Sequence, residues 1–302
     1  MSVDLKKMLE AGVHFGHRTS RWSPKMKPFI WGAKNKIHLI DVSKTALLLE
    51  RAGKFLKDVT SIGGKVLFVG TKKAAQEIVQ RTAASTGMPF VINRWVGGTL
   101  SNYEQVKKAV TRLLHMRDIV QKSTTHYKKK ELSMIQKEIA RLEKNVGGII
   151  NFDYPPAALV VVDAKKEISA IKEAMRMRIP VVALIDTNTD PIGVTHIIPG
   201  NDDSPKAINF IMQHIETFVK DGVAAYEAAK PVKPARPAAP APAAAKAAPA
   251  QPVPAAPVAE AVEATPAAAA ESVEAKVEKP AAPTARPATR PAAARKVVKK
   301  DE

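Results

Sequence analysis

The chain has 302 residues, a formal net charge of +18 at pH 7 and a pI near 9.9. Such a surface repels itself at low salt, and its usual partner is a polyanion, either a nucleic acid or an anionic membrane. The absence of cysteine excludes disulfides and thiolate metal sites, and without a signal-peptide pattern or an apolar run near the roughly 20 residues that span a bilayer, we expect a cytoplasmic protein.

The N-terminal arm, residues 11–40, carries six cations, three histidines, four aromatic rings and no acid. Lys and Arg displace counterions from phosphates and flat rings stack on exposed bases, so this pattern favours RNA as the partner. A membrane-surface role is disfavoured because the arm lacks an amphipathic period. A purely structural role explains the patch Phe29-Ile30-Trp31, which we expect at the edge of a core, but not the missing acids. The predicted RNA-binding residues of the arm are Arg18, Arg21, Trp22, Lys25, Lys27, Lys34 and Lys36.

Beyond the arm, short apolar runs alternate with helical patterns. Runs at 37–42, 65–69, 89–92, 159–162 and 181–185 predict strands, because they are continuous and rich in β-branched residues. Helical patterns cover 43–60, 71–85, 163–178 and 204–225. This alternation predicts a parallel sheet that helices cover on both faces.

Residues 103–146 interrupt the alternation with two helical patterns around a short polar segment, 123–126. Apolar residues in the second helix repeat at alternating spacings of three and four, and the first helix carries a looser stripe. We therefore expect an antiparallel coiled-coil hairpin with an excess of cations, suited to RNA or to a protein partner. The expected seam places Leu132, Ile135, Ile139, Leu142 and Val146 against Val106, Val110, Leu113 and Val120.

From residue 231 to 302 the composition changes almost entirely to Ala, Pro, Val, Glu, Lys and Arg, without an aromatic residue. This stretch holds 14 of the 23 prolines, a density that blocks helix and sheet, while alanine buries too little surface to offset ordering entropy. We expect a disordered, basic Ala/Pro-rich tail after an RNA-binding α/β domain of residues 1–230. A solubilising role and an RNA-binding role are both compatible with the tail.

Six motifs follow one another between the N-terminus and residue 225. Each is weak alone, but together and in this order they strongly resemble the bacterial-type family of the second numbered protein of the small ribosomal subunit. One departure is Ile192-Gly193, where the family commonly has an Asp after the Asp-Pro turn. The motifs are GVHFGH with WSPKMKPFI (12–17 and 22–30), FVGTKK (68–73), NRWVGGTLSN (93–102), KNVGGI (144–149), DTNTDP (186–191) and IPGNDD (198–203).

The resemblance implies a flavodoxin-like three-layer sandwich with a parallel five-stranded sheet and the coiled-coil hairpin inserted after the third strand. It implies a structural protein of the small ribosomal subunit that binds small-subunit ribosomal RNA on the solvent side, at the head–body junction, in support of translation. Neighbouring small-subunit proteins are implied as partners, among them the large first-numbered protein that this family helps to recruit. Neither a membrane nor a small-molecule substrate is implied.

An enzymatic alternative arises at Gly70-Thr71-Lys72, where a strand ends in glycine before a helix N-terminus. A nucleotide-binding α/β enzyme would use this turn, but neither phosphate-binding glycine spacing is present, and no nucleophile with a plausible base is evident. We therefore expect no enzyme; the amides of the turn also suit an RNA phosphate. The remaining predicted RNA-binding residues are Thr71, Lys72, Lys73, Arg94, Trp95, Asn102, Lys107 and Lys108.

Carboxylates cluster in the segments that follow the later strands. With His14 or His17 they form a candidate site for Mg²⁺ or Zn²⁺, although Asp is also a usual residue of turns and helix N-caps. We predict that no cofactor is required and that a structural divalent ion, if one binds, lies near His17 and Asp186. The carboxylates expected along this edge are Asp163, Asp186, Asp190, Asp202 and Asp203.

Overall fold

The computed structural model of the chain describes residues 3–122 and 127–229. The predicted turn at 123–126 and the predicted disordered tail at 231–302 lie outside the described residues. A short helix, α1 (Leu5–Glu10), leads into an antiparallel sheet with the strand order β1-β3-β2. Its strands are β1 (Phe15–Arg18), β2 (Ile30–Lys34) and β3 (Ile37–Ile40), and a 3-10 helix (Pro24–Phe29) precedes β2.

Five parallel strands form the centre of the fold, in the order β5-β4-β6-β7-β8. Every residue of β4, β6 and β7 is buried, which explains why these strands are apolar on both faces. The order corresponds to the flavodoxin-like 2-1-3-4-5 arrangement, so the predicted fold class is confirmed. The strands are β4 (Val66–Val69), β5 (Phe90–Val91), β6 (Ala158–Val162), β7 (Val181–Ile185) and β8 (His196–Pro199).

Helices on both faces of the sheet give three layers. Alternate residues of β4 separate the two cores: Phe68 packs in one apolar cluster with the helices α2 (Val42–Ser61), α3 (Lys73–Thr86) and α7 (Pro205–Ala229), and Leu67 packs in the other. The second cluster includes α6 (Ile168–Arg176) and the base of the helical insertion. In the described part of the chain, no helix is both long and apolar enough to cross a membrane.

The structure corrects one strand assignment. Residues 37–40 form β3 of the antiparallel sheet, whereas the fifth parallel strand is β8, which appeared in the sequence only as part of a motif. The half-buried pattern of β3 suits a sheet with one open face, while the polar residue His196 concealed the start of β8. The insertion therefore follows the second parallel strand, β5, and not the third.

Two helices begin later than the sequence predicts. The N-cap of α3 is Lys72 and not Thr71, whose hydroxyl donates a hydrogen bond to Glu167 instead. The predicted helix at 163–178 is shortened at both ends and begins at Ile168. Asp163 has a φ of 67°, and its carboxylate accepts the amides of residues 165 and 166 in a turn that delays the helix.

The insertion consists of α4 (Tyr103–Lys122) and α5 (Lys129–Val146), which pack against each other as predicted for a helical hairpin. Its seam is buried mainly at the base, at Val106, Val110, Leu113 and Val146, whereas Ile135 is only partly buried. One interhelical ion pair joins Arg112 to Glu138 at 2.5 Å, and a second joins Arg117 to Glu143.

Candidate nucleic-acid interface

The side chains of all six arm cations are exposed. Within the described residues, only Lys25 of the six has an ion-pair partner, with its Nζ 2.7 Å from a carboxylate oxygen of Asp190. Lys34 ends β2, and Lys36 is the second residue of the tight turn to β3, in which Asn35 and Lys36 have positive φ values of 52° and 61°. This geometry is that of a two-residue hairpin turn, and it presents both lysines at its tip.

The arm is held against the carboxyl ends of the parallel strands. The amide of His17 donates to Thr187 Oγ1 at 2.9 Å, and the amide of Ser23 donates to the Thr187 carbonyl at 2.8 Å. Gly16 permits this approach, because a Cβ there would lie 2.7 Å from the Thr187 methyl group. The amide of Asn201 likewise donates to the Val13 carbonyl, so the cations of the arm extend from a fixed backbone.

The two arm tryptophans occupy different environments. Trp22 is 38% exposed, and the centroid of its ring lies 5.3 Å from the ring centroid of His38. Trp31 is 76% exposed, which corrects its expected place at the edge of a core. Because side chains alternate along β2, Ile30 packs against the core and Trp31 points outward; Phe29, at the end of the preceding 3-10 helix, also packs against the core.

The amide and hydroxyl of Thr71 and the ammonium of Lys72, in the turn Gly70-Thr71-Lys72, are engaged by carboxylates of the protein. The amide and hydroxyl of Thr71 both donate to the buried carboxylate of Glu167, whose pKa is raised by burial. Lys72 Nζ is 2.8 Å from Asp202 and 2.6 Å from Asp203. The Thr71 donors and the Lys72 ammonium, which the predicted RNA contacts and the nucleotide-binding alternative would use, are thus already occupied by carboxylates of the protein. Lys73 is exposed.

The remaining predicted RNA-binding residues lie in the loop before the insertion and at the start of α4, and they differ in exposure. Arg94 is exposed, but Trp95 is only 8% exposed, with its indole Nε1 donating to Glu173 at 3.1 Å. The ring of Trp95 therefore belongs to the core, and only its small exposed part is accessible for the predicted contact with RNA. The exposed candidates at the start of the insertion are Asn102, Lys107 and Lys108. Residues of the arm's 3-10 helix share a core cluster with Trp95 and Val106, so the arm and the base of the hairpin cover the same face of the sheet.

A cluster of one histidine and three aspartates (the His–Asp cluster) lies where the arm meets the carboxyl ends of the parallel strands. Its members, His17, Asp186, Asp202 and Asp203, each place one potential ligand atom within 4.8 Å of the others. His17 Nδ1 is 2.8 Å from Asp186 and Nε2 is 3.3 Å from Asp203. The hydrogen bond to Asp186 raises the pKa of His17 against the opposing effect of burial. A histidine with three carboxylates is a donor set that suits a divalent cation, and His17 rather than His14 supplies the imidazole.

Comparison with known proteins gives a consistent result. A family model described as ribosomal protein S2 matches residues 8–222. The small ribosomal subunit protein uS2 of Solidesulfovibrio magneticus is 42% identical over 231 residues, which cover 76% of this chain and 90% of the relative. The proteins of the same name from Maridesulfovibrio salexigens and Sorangium cellulosum are 44% and 47% identical, over 74% and 73% of this chain and 86% and 80% of the relatives.

Proposed function

The chain belongs to the ribosomal protein S2 family, and from this membership we propose that it binds small-subunit ribosomal RNA at the head–body junction, on the solvent side of the small subunit. The family is one of structural ribosomal proteins, so the chain is a constituent of the small subunit and not an enzyme. The ribosome of the cytoplasm is its proposed location. The observation that carries the RNA-binding proposal is the arm, with exposed cations on a backbone fixed to the sheet.

Two further elements support an RNA interface that extends beyond the arm. Arg94 and the lysines at the start of α4 are exposed on the face of the sheet that the arm also covers. We propose that residues 1–230 form the RNA-binding domain, with the hairpin at 103–146 as an inserted part of it. The tail, 231–302, is proposed to add charge without contributing to the core.

The arm proposal is tested by replacing Arg18 and Arg21 with Ala in the full chain. Binding to small-subunit ribosomal RNA should weaken, and its dependence on salt should flatten by up to about 0.7–0.9 in the logarithmic slope for each phosphate that the variant no longer neutralises. The measurement is a binding titration of RNA at several salt concentrations. Trp22→Ala should weaken binding without changing the slope if its ring stacks on a base.

The matched control replaces Arg51 and Lys54 in α2, which removes the same charge from another exposed surface. This variant should bind RNA with the slope of the unmodified chain. An arm variant that keeps the salt slope of the unmodified chain would exclude the arm from the interface. A common fall in slope would show that only net charge matters.

We also propose that the chain helps to recruit the large first-numbered small-subunit protein, and that Trp31 belongs to the contact. The ring of Trp31 borders a cavity of about 320 Å³, which Leu9, Leu39 and Val42 also line. His14, Asp41 and Ser43 add polar groups to the same cavity, and a mostly exposed tryptophan beside a cavity of mixed character is a typical anchor point for a protein partner. The ring of Trp31 carries no positive charge with which it could neutralise an RNA phosphate.

Trp31→Ser should lower the amount of the first-numbered protein in purified small subunits while leaving the salt slope of RNA binding unchanged. Quantitative mass spectrometry of the subunit proteins measures this amount. Ile62→Ser is the control, because Ile62 is 83% exposed and lies beyond the end of α2, before β4. A full complement of the partner in the Trp31 variant would remove this residue from the contact.

No cofactor is proposed to be required for RNA binding, but the His–Asp cluster is proposed to take a divalent cation. Zn²⁺ should raise the melting temperature of the full chain, and His17→Gln should abolish that rise while His115→Gln in the exposed part of α4 should not. Zn²⁺ binding should weaken as the pH falls below the raised pKa of His17, because the imidazole must be neutral to bind the metal. An equal response of both variants would exclude the cluster as the site.

A further inference from the structure

The carboxylate of Glu173, on α6, collects four hydrogen bonds from one loop. Its Oε1 accepts Trp95 Nε1 at 3.1 Å and the amide of Gly98 at 2.9 Å. Its Oε2 accepts the amides of Leu100 at 3.1 Å and Ser101 at 3.5 Å. Each oxygen thus receives two donors from the segment that leads directly into α4.

These amides need an acceptor because of their position in the chain. Gly98 has a φ of 93°, and the loop turns there before α4 begins at Tyr103, so neither a strand nor a preceding helical turn accepts the amides of residues 98, 100 and 101. Converging backbone amides of this kind form a concave site for an anion. Glu173 supplies that anion from within the protein.

The loop that Glu173 holds joins two groups of proposed RNA contacts. Arg94 precedes it, and Asn102 with the lysines of the first turns of α4 follows it. The other side of the loop is fixed by two neutral hydrogen bonds, from Asn93 Nδ2 to the Lys144 carbonyl at 2.9 Å and from the Tyr154 hydroxyl to the Leu100 carbonyl at 2.8 Å. Glu173 is the one charged group among these restraints within the described residues.

We propose that Glu173 is a positioning residue for RNA recognition: its carboxylate fixes the loop 94–102 and thereby the direction in which α4 presents its cations. The proposal rests on the proposed RNA-binding function. The negative charge of Glu173 has two opposite effects on RNA binding, one through electrostatic repulsion and one through the geometry of the loop. Long-range electrostatics alone would make Glu173 unfavourable for RNA, whereas the loss of a fixed loop geometry would make its removal unfavourable.

Glu173→Gln in the full chain tests the proposal, because glutamine keeps the volume but replaces one acceptor oxygen by an amide that faces backbone donors. Hydrogen exchange of the amides of residues 98, 100 and 101 should accelerate, while the amides of β6 and β7 stay protected. Binding to small-subunit ribosomal RNA should weaken about tenfold, because the loop that Glu173 holds in the free chain must then be ordered on binding, and the salt slope should stay unchanged. Arg94→Ala should instead lower the slope, since it removes a phosphate contact.

The matched control is Glu77→Gln on the exposed side of α3, which removes the same charge and should change neither exchange nor affinity. Tighter or unchanged RNA binding by Glu173→Gln would overturn the proposal, as would unaltered amide exchange. If Glu173→Gln does not fold, Glu173→Asp keeps the charge but shortens its reach, and it must show the same changes to a smaller degree; binding at full affinity by this variant would also overturn the proposal. Failure of the proposed function itself is distinguishable, because the unmodified chain would then show no salt-dependent binding.

Discussion

Replacing Lys72 by Met is expected to lower the free energy of unfolding by about 3–5 kcal/mol at pH 7, the range for removing one partner of a buried ion pair. Lys72 Nζ contacts three carboxylates, and Asp202 among them is only 1% exposed. Burial alone would lower the pKa of Lys72, but its hydrogen bonds to Asp202 and Asp203 outweigh burial and raise it. Without Lys72, the carboxylate of Asp202 is left buried beside Asp163.

The difference in the free energy of unfolding between the Lys72→Met variant and the unmodified chain should become smaller as the pH is lowered from 7 to 5. Burial and the neighbouring Asp163 already raise the pKa of Asp202 to about 6, and removal of Lys72 raises it further. Between the unfolded and folded pKa values the native state holds more protons than the unfolded state, so stability increases as the pH falls through this window. Denaturant titrations at both pH values, with a chelator present, measure the effect.

Lys25→Met is the matched control, because it breaks the pair with Asp190 in which both side chains are about half exposed. Solvent and salt screen such an exposed pair, so this variant should remain near the stability of the unmodified chain. Similar losses for Lys72→Met and Lys25→Met would contradict the assigned burial of the Lys72 network.

Leu113→Ala is expected to destabilise the base of the hairpin by about 2–5 kcal/mol. Leu113 is fully buried in the cluster that joins α4 to the parallel sheet, so truncation removes apolar contacts and leaves a cavity. Hydrogen exchange should show early opening of α4 and α5. The strands of the parallel sheet should open later.

The adjacent Leu114 is the control for this change, since it has the same side chain, lies in the same helix and is 45% exposed. Leu114→Ala should cost less than about 1 kcal/mol, because little apolar surface leaves water on folding. Chemical denaturation of both variants compares them. Equal losses of stability in the two variants would mean that α4 does not turn Leu113 toward the core and Leu114 toward solvent.

The sheet could be predicted from the sequence wherever strands are buried on both faces. Continuous runs such as those of β4 and β7 have no other common explanation, and they gave the correct fold class. β8 was missed because its first residue is polar and two of its four residues are only partly buried. Residues 37–40 were assigned to the wrong sheet because composition does not specify a pairing partner.

The exposed cations of the site could be predicted because Lys and Arg rarely lie in a core without partners. The environments of Thr71, Lys72 and Trp95 could not be predicted, for a different reason. The acceptors of Thr71 and Trp95 lie 96 and 78 residues further along the chain, and no local pattern connects them. Trp31 was misplaced because the starting residue of β2 determines which side chains face outward, and the apolar triplet at 29–31 is compatible with either choice.

The way the hairpin rejoins the sheet has a consequence for solubility during assembly. β5 has two residues and lies at the edge of the parallel sheet, where unpaired backbone groups invite pairing with another chain. The segment after α5 covers this edge so closely that a Cβ at Gly148 would overlap the Phe90 carbonyl oxygen. The 3-10 helix that follows α5 (Gly147–Ile149) thus shields the sheet from edge-to-edge pairing, and a chain without residues 103–149 should self-associate through the uncovered edge.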